Sequence, residues 1–213
     1  MQPAGSSGGK YSPNCSEAVE FESLGCIIMA SGMGKRFGGN KLMADLDGSP
    51  MIGRILVATR GIFARRIVVT RHGDVAAFCR EQGVAVLLHD LPHRSDTVRL
   101  GLREIQEGIE GCMFCPGDQP LLGRGSIRAM CAYFIQCPSM IVQLEYANHP
   151  GTPVLFPQRC FDELMNLPQG RGGRALIQKY PGQVRHVPAR DEYEMLDVDS
   201  PEDLTRIRQY LER

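Results

Sequence analysis

Short β-branched and apolar runs alternate with longer amphipathic stretches along the first half of the chain. Residues 24–30 form an uninterrupted apolar run, as expected for a strand buried on both faces. Residues 50–60 have helical spacing, with Ile52, Ile55, Leu56 and Thr59 on one side. Residues 66–70 and 84–89 read as a second and third strand, separated by a helix over 74–82 that Gly83 stops. Residues 95–106 place Val98, Leu100, Leu102 and Ile105 on a helix that Ser95 or Asp96 can cap. A fourth strand over 111–115 runs into Pro116-Gly117-Asp118. Repeated strand–helix–strand units close most economically as a parallel, twisted sheet with helices on both faces. In such α/β folds ligands bind at the carboxyl ends of the strands.

Beyond residue 138 the pattern changes. Residues 140–146 and 153–156 read as strands flanking a turn at 148–151. A Gly/Arg-rich loop at 169–174 precedes a helix over 175–180; strands over 184–188 and 194–198 and a helix over 200–211 follow. Ser200-Pro201-Glu202-Asp203 is a strong helix start: a Ser cap, Pro in the first turn, then acids that the helix dipole favours. No repeat or boundary divides the 213 residues, so one domain over 23–213 is expected. Residues 1–22, rich in Gly, Ser and Pro without an apolar centre, read as a flexible leader rather than a secretory signal.

Composition narrows the function classes. Cations and anions balance at 24 each, which argues against general nucleic-acid or membrane-surface binding. No apolar run is long enough to span a bilayer. Of eight cysteines, without a secretory signal, several sit in apolar runs and read as buried small hydrophobes in a cytoplasmic protein. The one CxxC, Cys112-Met113-Phe114-Cys115, falls in a strand. Alternation there puts Cys112 and Phe114 on one face and Met113 and Cys115 on the other.

The chemistry concentrates in the loop after the first strand, Ala30-Ser31-Gly32-Met33-Gly34-Lys35-Arg36-Phe37-Gly38-Gly39-Asn40-Lys41. A glycine turn between a buried strand and a helix exposes backbone N–H groups to anions. The P-loop pattern fails, because Met29 stands where its first Gly belongs and Arg36 where its hydroxyl belongs. The dinucleotide pattern fails at Phe37, and the second strand ends in Thr70-Arg71 rather than an acid. Arg36 and Lys41, interleaved with the glycines, fit a triphosphate better: Arg offers a planar fork and Lys a point charge.

The stretch IIMASGMGKRFGGNKLMADLDGSPMIGRIL resembles the signature of MobA-like NTP transferases, with Ala30, Gly32, Gly34, Arg36, Gly38, Asn40, Lys41, Gly48, Pro50 and Ile52 at matching positions. Ser31 departs from the usual Ala or Gly and bears on base selectivity. Further segments match in order over roughly residues 24–211. The resemblance implies a Rossmann-like nucleotidyltransferase fold. It carries metal binding to Asp118 of PGDQPLL, and a second metal contact to Asp199 of LDVDSPEDL. Asp197 points the same way as Asp199 if that segment is a strand. Ser95, Asp96 and Thr97 stand near the expected nucleotide base, although capping explains them equally well. Thr152 of GTPVLF, and Gly173 and Arg174 of GRGGRA, stand on the expected acceptor side. Arg171 replaces a family acid there. Of the histidines, His149 alone abuts an expected site; His72, His89, His93 and His186 read as surface or loop residues.

By this resemblance an acceptor phosphate oxygen attacks the α-phosphorus of an NTP and pyrophosphate leaves. Ala30, Ser31, Gly32 and Gly34 would cradle the triphosphate. Arg36 and Lys41 would offset charge, and Asp118 with Asp199 would hold Mg2+. The motif combination is most similar to molybdenum cofactor cytidylyltransferases, implying CTP, a molybdopterin-type acceptor and a transient molybdenum hydroxylase partner. A guanylyltransferase, another small-molecule NTP transferase, an NADP-dependent oxidoreductase and a catalytically silent cofactor chaperone are the competing readings.

Overall fold

The computed structural model describes residues 19–34 and 36–212. Most of the expected leader lies outside that range. Its last residues do not behave as a leader: β1 (Phe21–Ala30) begins before residue 23, and Glu20 pairs with Arg128 at 2.7 Å. The chain continues through α1 (Ile52–Ala58), β2 (Phe63–Thr70), α2 (Gly73–Glu81), β3 (Ala85–Leu88), α3 (Arg94–Ile105), β4 (Gly111–Pro116) and α4 (Arg124–Gln136). It ends with β5 (Ile141–Tyr146), β6 (His149–Pro157), α5 (Phe161–Met165), α6 (Arg174–Lys179), β7 (Val184–Pro188) and α7 (Pro201–Leu211). The strands form one seven-stranded sheet in the order β3-β2-β1-β4-β6-β5-β7. Only β6 runs against the others.

The pleat explains how one sequence covers two faces. Leu24, Cys26, Ile28 and Ala30 of β1 pack with Met113 and Cys115 of β4 under α1, α2, α4 and α7. Ile27, Cys112 and Phe114 point the other way, under α3, α5 and α6. Each fully buried Leu, Ile or Val contributes roughly 1.5–3 kcal/mol, so both layers are needed to hold β1 in the centre. Among the described residues every cysteine is a free thiol. Cys26 and Cys115 lie 3.8 Å apart with both side chains sealed in the core.

Three readings are corrected. The β5–β6 turn is Ala147-Asn148, both at positive φ, and His149 already pairs with Tyr146; residues 149–151 belong to β6. Residues 194–198 are not a strand: a 3-10 turn spans Glu192–Met195, and an unpaired extended segment follows. Helix α4 has no counterpart in the sequence reading. Its core residues Ile127, Met130, Cys131 and Phe134 fit helical spacing, but they are diluted by intervening small and polar residues.

The topology fixes the site. Chain order runs outward from β1 to β2 and β3, then returns to β4 on the other side of β1. The loops after β1 and β4 therefore diverge at the sheet's carboxyl edge, and a crevice opens between them.

Candidate active site

That crevice is a cleft of about 1110 Å3. One wall is the glycine loop, where Ser31, Gly32 and Met33 line the cleft while Ala30 is buried beneath it. The chain turns back at Gly34, which has φ +53° and whose O accepts from Phe37 N at 2.9 Å. A Cβ there would lie 2.8 Å from Gly39 O, so only glycine fits this turn. Two histidines brace the loop: His72 Nε2 lies 2.8 Å from Gly32 O, and His89 Nε2 lies 2.9 Å from Ser31 Oγ. His72, His89 and His93 lie in loops, as read from the sequence, and His93 also lines the cleft. Arg36 stands exposed on the turn and is not part of the cleft lining.

Lys41 does not line the cleft; it lies beside it, behind Asp118. Asn40 starts a 3-10 turn over Lys41–Met43 by accepting from Leu42 N, and it donates to both carboxylate oxygens of Asp74. The Lys41 side chain is thereby turned inward, 5% exposed. Its Nζ donates to Asp118 Oδ2 and to Asp199 Oδ1, both at 2.7 Å. Burial alone would lower the pKa of this ammonium. The hydrogen bonds and charges of Asp118 and then Asp199 outweigh burial and hold it above the ordinary lysine value. Asp118 reaches this point from the turn after β4, and its backbone O accepts from Val198 N at 3.0 Å. Val198 is fully buried, so Asp197 and Asp199 flank it and face outward without any strand ladder. The Asp197 carboxyl is held above the usual carboxylate range, first by desolvation and then by the charge of Asp118.

Gln119, absent from the sequence-derived site, joins the two halves of the cleft. Its Nε2 lies 2.7 Å from Thr152 Oγ1, 3.2 Å from Met195 O and 2.9 Å from Asp197 Oδ1. Its Oε1 is buried without a partner among the described residues.

At the start of α3 the expected trio separates. Asp96 is turned into the protein, where it accepts from His93 N at 3.1 Å and from Arg99 Nη2 at 2.6 Å. This is a capping box. Ser95 is buried beside it, and neither residue lines the cleft. Thr97 does line it, with Oγ1 buried and unpartnered among the described residues.

The far wall holds Thr152, Gly173 and Arg174, with Gly173 packed against the Phe156 ring. Arg71, Arg94 and Arg171 also line the cleft, above an apolar floor that includes Phe114, Val154, Phe156 and Ile177. Arg71 directly follows β2, and its place at a strand's carboxyl edge was the signal available for it. His149 is exposed on the β5–β6 hairpin, where its Nδ1 lies 2.9 Å from Ala147 O, and it takes no part in the cleft.

The oxygen donors suit a hard divalent cation. Among the described residues no three His, Cys, Asp or Glu side chains form a closed cage. Mg2+ characteristically takes one or two carboxylates and completes its octahedron with substrate phosphates and water. Asp118 and Asp199, side by side at the mouth of a glycine loop, fit that pattern.

Several known proteins are similar to this chain in sequence or fold. The purine catabolism protein PucB of Bacillus subtilis is 23% identical over 85% of this chain and 94% of its own length. The 3-deoxy-manno-octulosonate cytidylyltransferase of Neisseria meningitidis is 28% identical over 59% of this chain, but the match spans only 47% of that enzyme. The homologue of Mycobacterium tuberculosis Rv0371c from Mycobacterium sp. strain JC1 superposes with a TM-score of 0.77 at 25% identity, covering 90% of this chain and 98% of that one. Rv0371c itself, solved in complex with manganese, superposes at 0.67 with 21% identity, covering 88% and 98%. The CTP complex of CMP:2-keto-3-deoxy-manno-octonic acid synthetase superposes at 0.69 with 14% identity, covering 92% and 99%. The MobA-like NTP transferase domain matches residues 26–186, more than half of the sequence, so the chain belongs to that nucleotidyltransferase family.

Proposed function

We propose that this protein transfers CMP from CTP to the phosphate of molybdopterin, releasing pyrophosphate. The observation that carries the transfer chemistry is Lys41 Nζ bridging Asp118 and Asp199 at 2.7 Å beneath the glycine loop. In the proposed reaction an acceptor phosphate oxygen forms a bond to the α-phosphorus of CTP, and the bond from that phosphorus to the β-bridging oxygen breaks. The acceptor is already ionised at neutral pH, so no general base is needed. Backbone N–H groups at Ser31, Gly32 and Gly34 face the triphosphate. Lys41 neutralises charge near the α-phosphate, and Arg36 folds in from the exposed turn over the leaving pyrophosphate. Mg2+ held by Asp118 and Asp199 supplies electrostatic stabilisation of the phosphate oxygens when bound. Manganese in a structural neighbour supports a divalent cation.

Two features support CTP: the cytidylyltransferase relative and the CTP-bound neighbour. The far wall supports a partly flat, anionic acceptor, with Phe114 and Phe156 under the arginines and Thr152, Gly173 and Arg174 around its phosphate. A molybdenum hydroxylase that receives the product cofactor completes the proposal. Pyrophosphate release with molybdopterin, Mg2+ and each of CTP, GTP, ATP and UTP tests it. Turnover with CTP is the expected result. Turnover with GTP alone moves the protein to the guanylyl branch, and CTP binding without turnover makes it a silent cofactor chaperone.

A further inference from the structure

Glu194 is the most deeply buried acid in the segment that carries Asp197 and Asp199. It is 5% exposed, and nothing in the reaction above uses it. Its carboxylate closes a gap in another element. Helix α4 begins at Gly123, which has no side chain with which to cap it. Glu194 caps it from outside. Oε1 accepts from Gly123 N at 3.0 Å, and Oε2 accepts from Ser126 Oγ at 2.6 Å and from Arg190 N at 2.8 Å. The helix dipole favours a negative group at this end. The fit is tight, because a Cβ on Gly123 would overlap Oε1.

The position of this latch gives it a role. Helix α4 follows directly on the turn that presents Asp118 and Gln119. The segment after Glu194 presents Met195 O to Gln119, then Asp197, Val198 bonded to Asp118 O, and Asp199. Upstream, Asp191 accepts from Tyr193 N and takes the Tyr210 hydroxyl at 2.6 Å, while Tyr193 and Tyr210 stack at 4.3 Å. Residues 190–199 therefore form a strap. It is fastened at one end by Glu194 and Asp191, and at the other by Val198 N to Asp118 O and Asp199 N to Asp203 Oδ2, with Asp197 on the cleft lining and Asp199 beside it. We infer that Glu194 is a positioning residue that sets the spacing of the Asp118 and Asp199 carboxylates for the divalent cation. This rests on the reading that those two aspartates hold the metal.

Glutamine is a discriminating substitute. It keeps the shape of Glu194 but replaces one acceptor oxygen with an N–H donor. Whichever way the amide turns, a backbone N–H of Gly123 or Arg190 loses its acceptor, and the strap loosens without a cavity forming.

The test is Mn2+ titration of the full chain with CTP, followed by electron paramagnetic resonance, beside melting curves and turnover. Supporting groups around metal ligands typically set roughly 10–100-fold in affinity. The expected result for Glu194→Gln is half-saturation at about 10-fold higher Mn2+, with kcat recovering at saturating metal. Ser126→Ala, which removes one donor, is expected to shift it less and in the same direction, and serves if Glu194→Gln does not fold. Ile105→Val, a core change remote from the strap, should lower the melting temperature and leave half-saturation unmoved. If Glu194→Gln, or Ser126→Ala in its place, titrates like wild type while Asp118→Asn loses Mn2+, the positioning role is overturned. If Asp118→Asn itself titrates like wild type, the metal assignment falls instead.

Discussion

At the Lys41 end of the cleft the charged side chains hold one another: Lys41 bridges two aspartates, Gln119 holds a third, and Glu194 anchors the strap that carries two of them. At the other end Arg94, Arg171 and Arg174 are exposed over an apolar floor. Preorganised charge lowers a barrier because nothing must reorganise as the reaction proceeds. Exposed guanidinium groups at helix starts and on the intervening loop can instead adapt to the shape of a ligand. Under the proposed function the first end carries the chemistry and the second recognises the acceptor, and substitutions at each should fail differently.

The largest effect is expected at Asp118. Asp118→Asn keeps the turn after β4 and removes a carboxylate that Lys41 and, in the proposed reaction, the cation share, so kcat should fall roughly 10²–10³-fold with folding intact. Pyrophosphate release and a melting curve measure the two. An unchanged kcat would break the contrast at its stronger end.

Lys41→Met should lower kcat nearly as far and also cost stability, about 1–3 kcal/mol, because a buried charged hydrogen-bond donor is lost and the carboxylates are left facing one another. The pH dependence has a definite sign. The folded-state pKa of Lys41 is raised above its ordinary 10.5, so its contribution is complete below that value and is lost as pH rises through the folded-state value. The gap in melting temperature between wild type and Lys41→Met should hold steady from about pH 7 to 9 and shrink at higher pH. A gap that widens with alkali would contradict the ion-pair geometry.

The arginine end should behave otherwise. Arg174→Ala should raise the acceptor KM about 10-fold, the value of one charge-assisted contact to a phosphate, while leaving the KM for CTP and the melting temperature in place. Should the CTP term move instead, the assignments of the two walls would need to be exchanged.

What the sequence made legible follows the same division. The glycine loop, Lys41, Asp118 and Asp199 lie in contiguous motifs whose residue types match the chemistry, and the sheet was readable because buried parallel strands are unbroken apolar runs. The strap was not. Residues 194–198 look like a strand by composition, yet their buried residues, Glu194 and Val198, hydrogen-bond the segment between β4 and α4 rather than a strand. Glu194 and Gln119 act through partners far away in sequence, 71 and 78 residues distant, and no local pattern records such a bond. Asp96 shows the converse: a polar residue at a helix start satisfies both a capping and a ligand-binding reading until its partners, His93 N and Arg99, are known.

The smallest expected effect lies at Ser31. Val69 O can only accept, so the Ser31 hydroxyl donates to it at 3.2 Å and takes an N–H from His89 Nε2 at 2.9 Å. Desolvation, and then the charge of Arg71, lower the pKa of His89, which favours a neutral ring whose proton sits on Nε2. Ser31 is left with one lone pair toward the cleft. It can accept from an exocyclic amino group, such as that of cytosine, and has no proton for the carbonyl that uracil presents instead. Ser31→Ala should therefore reduce the preference for CTP over UTP by about threefold, below roughly 1 kcal/mol, with kcat for CTP nearly unchanged. Competition assays with the two nucleotides resolve a difference of that size. A ratio identical to wild type would mean that the hydroxyl ties β1 to β2 and reads nothing.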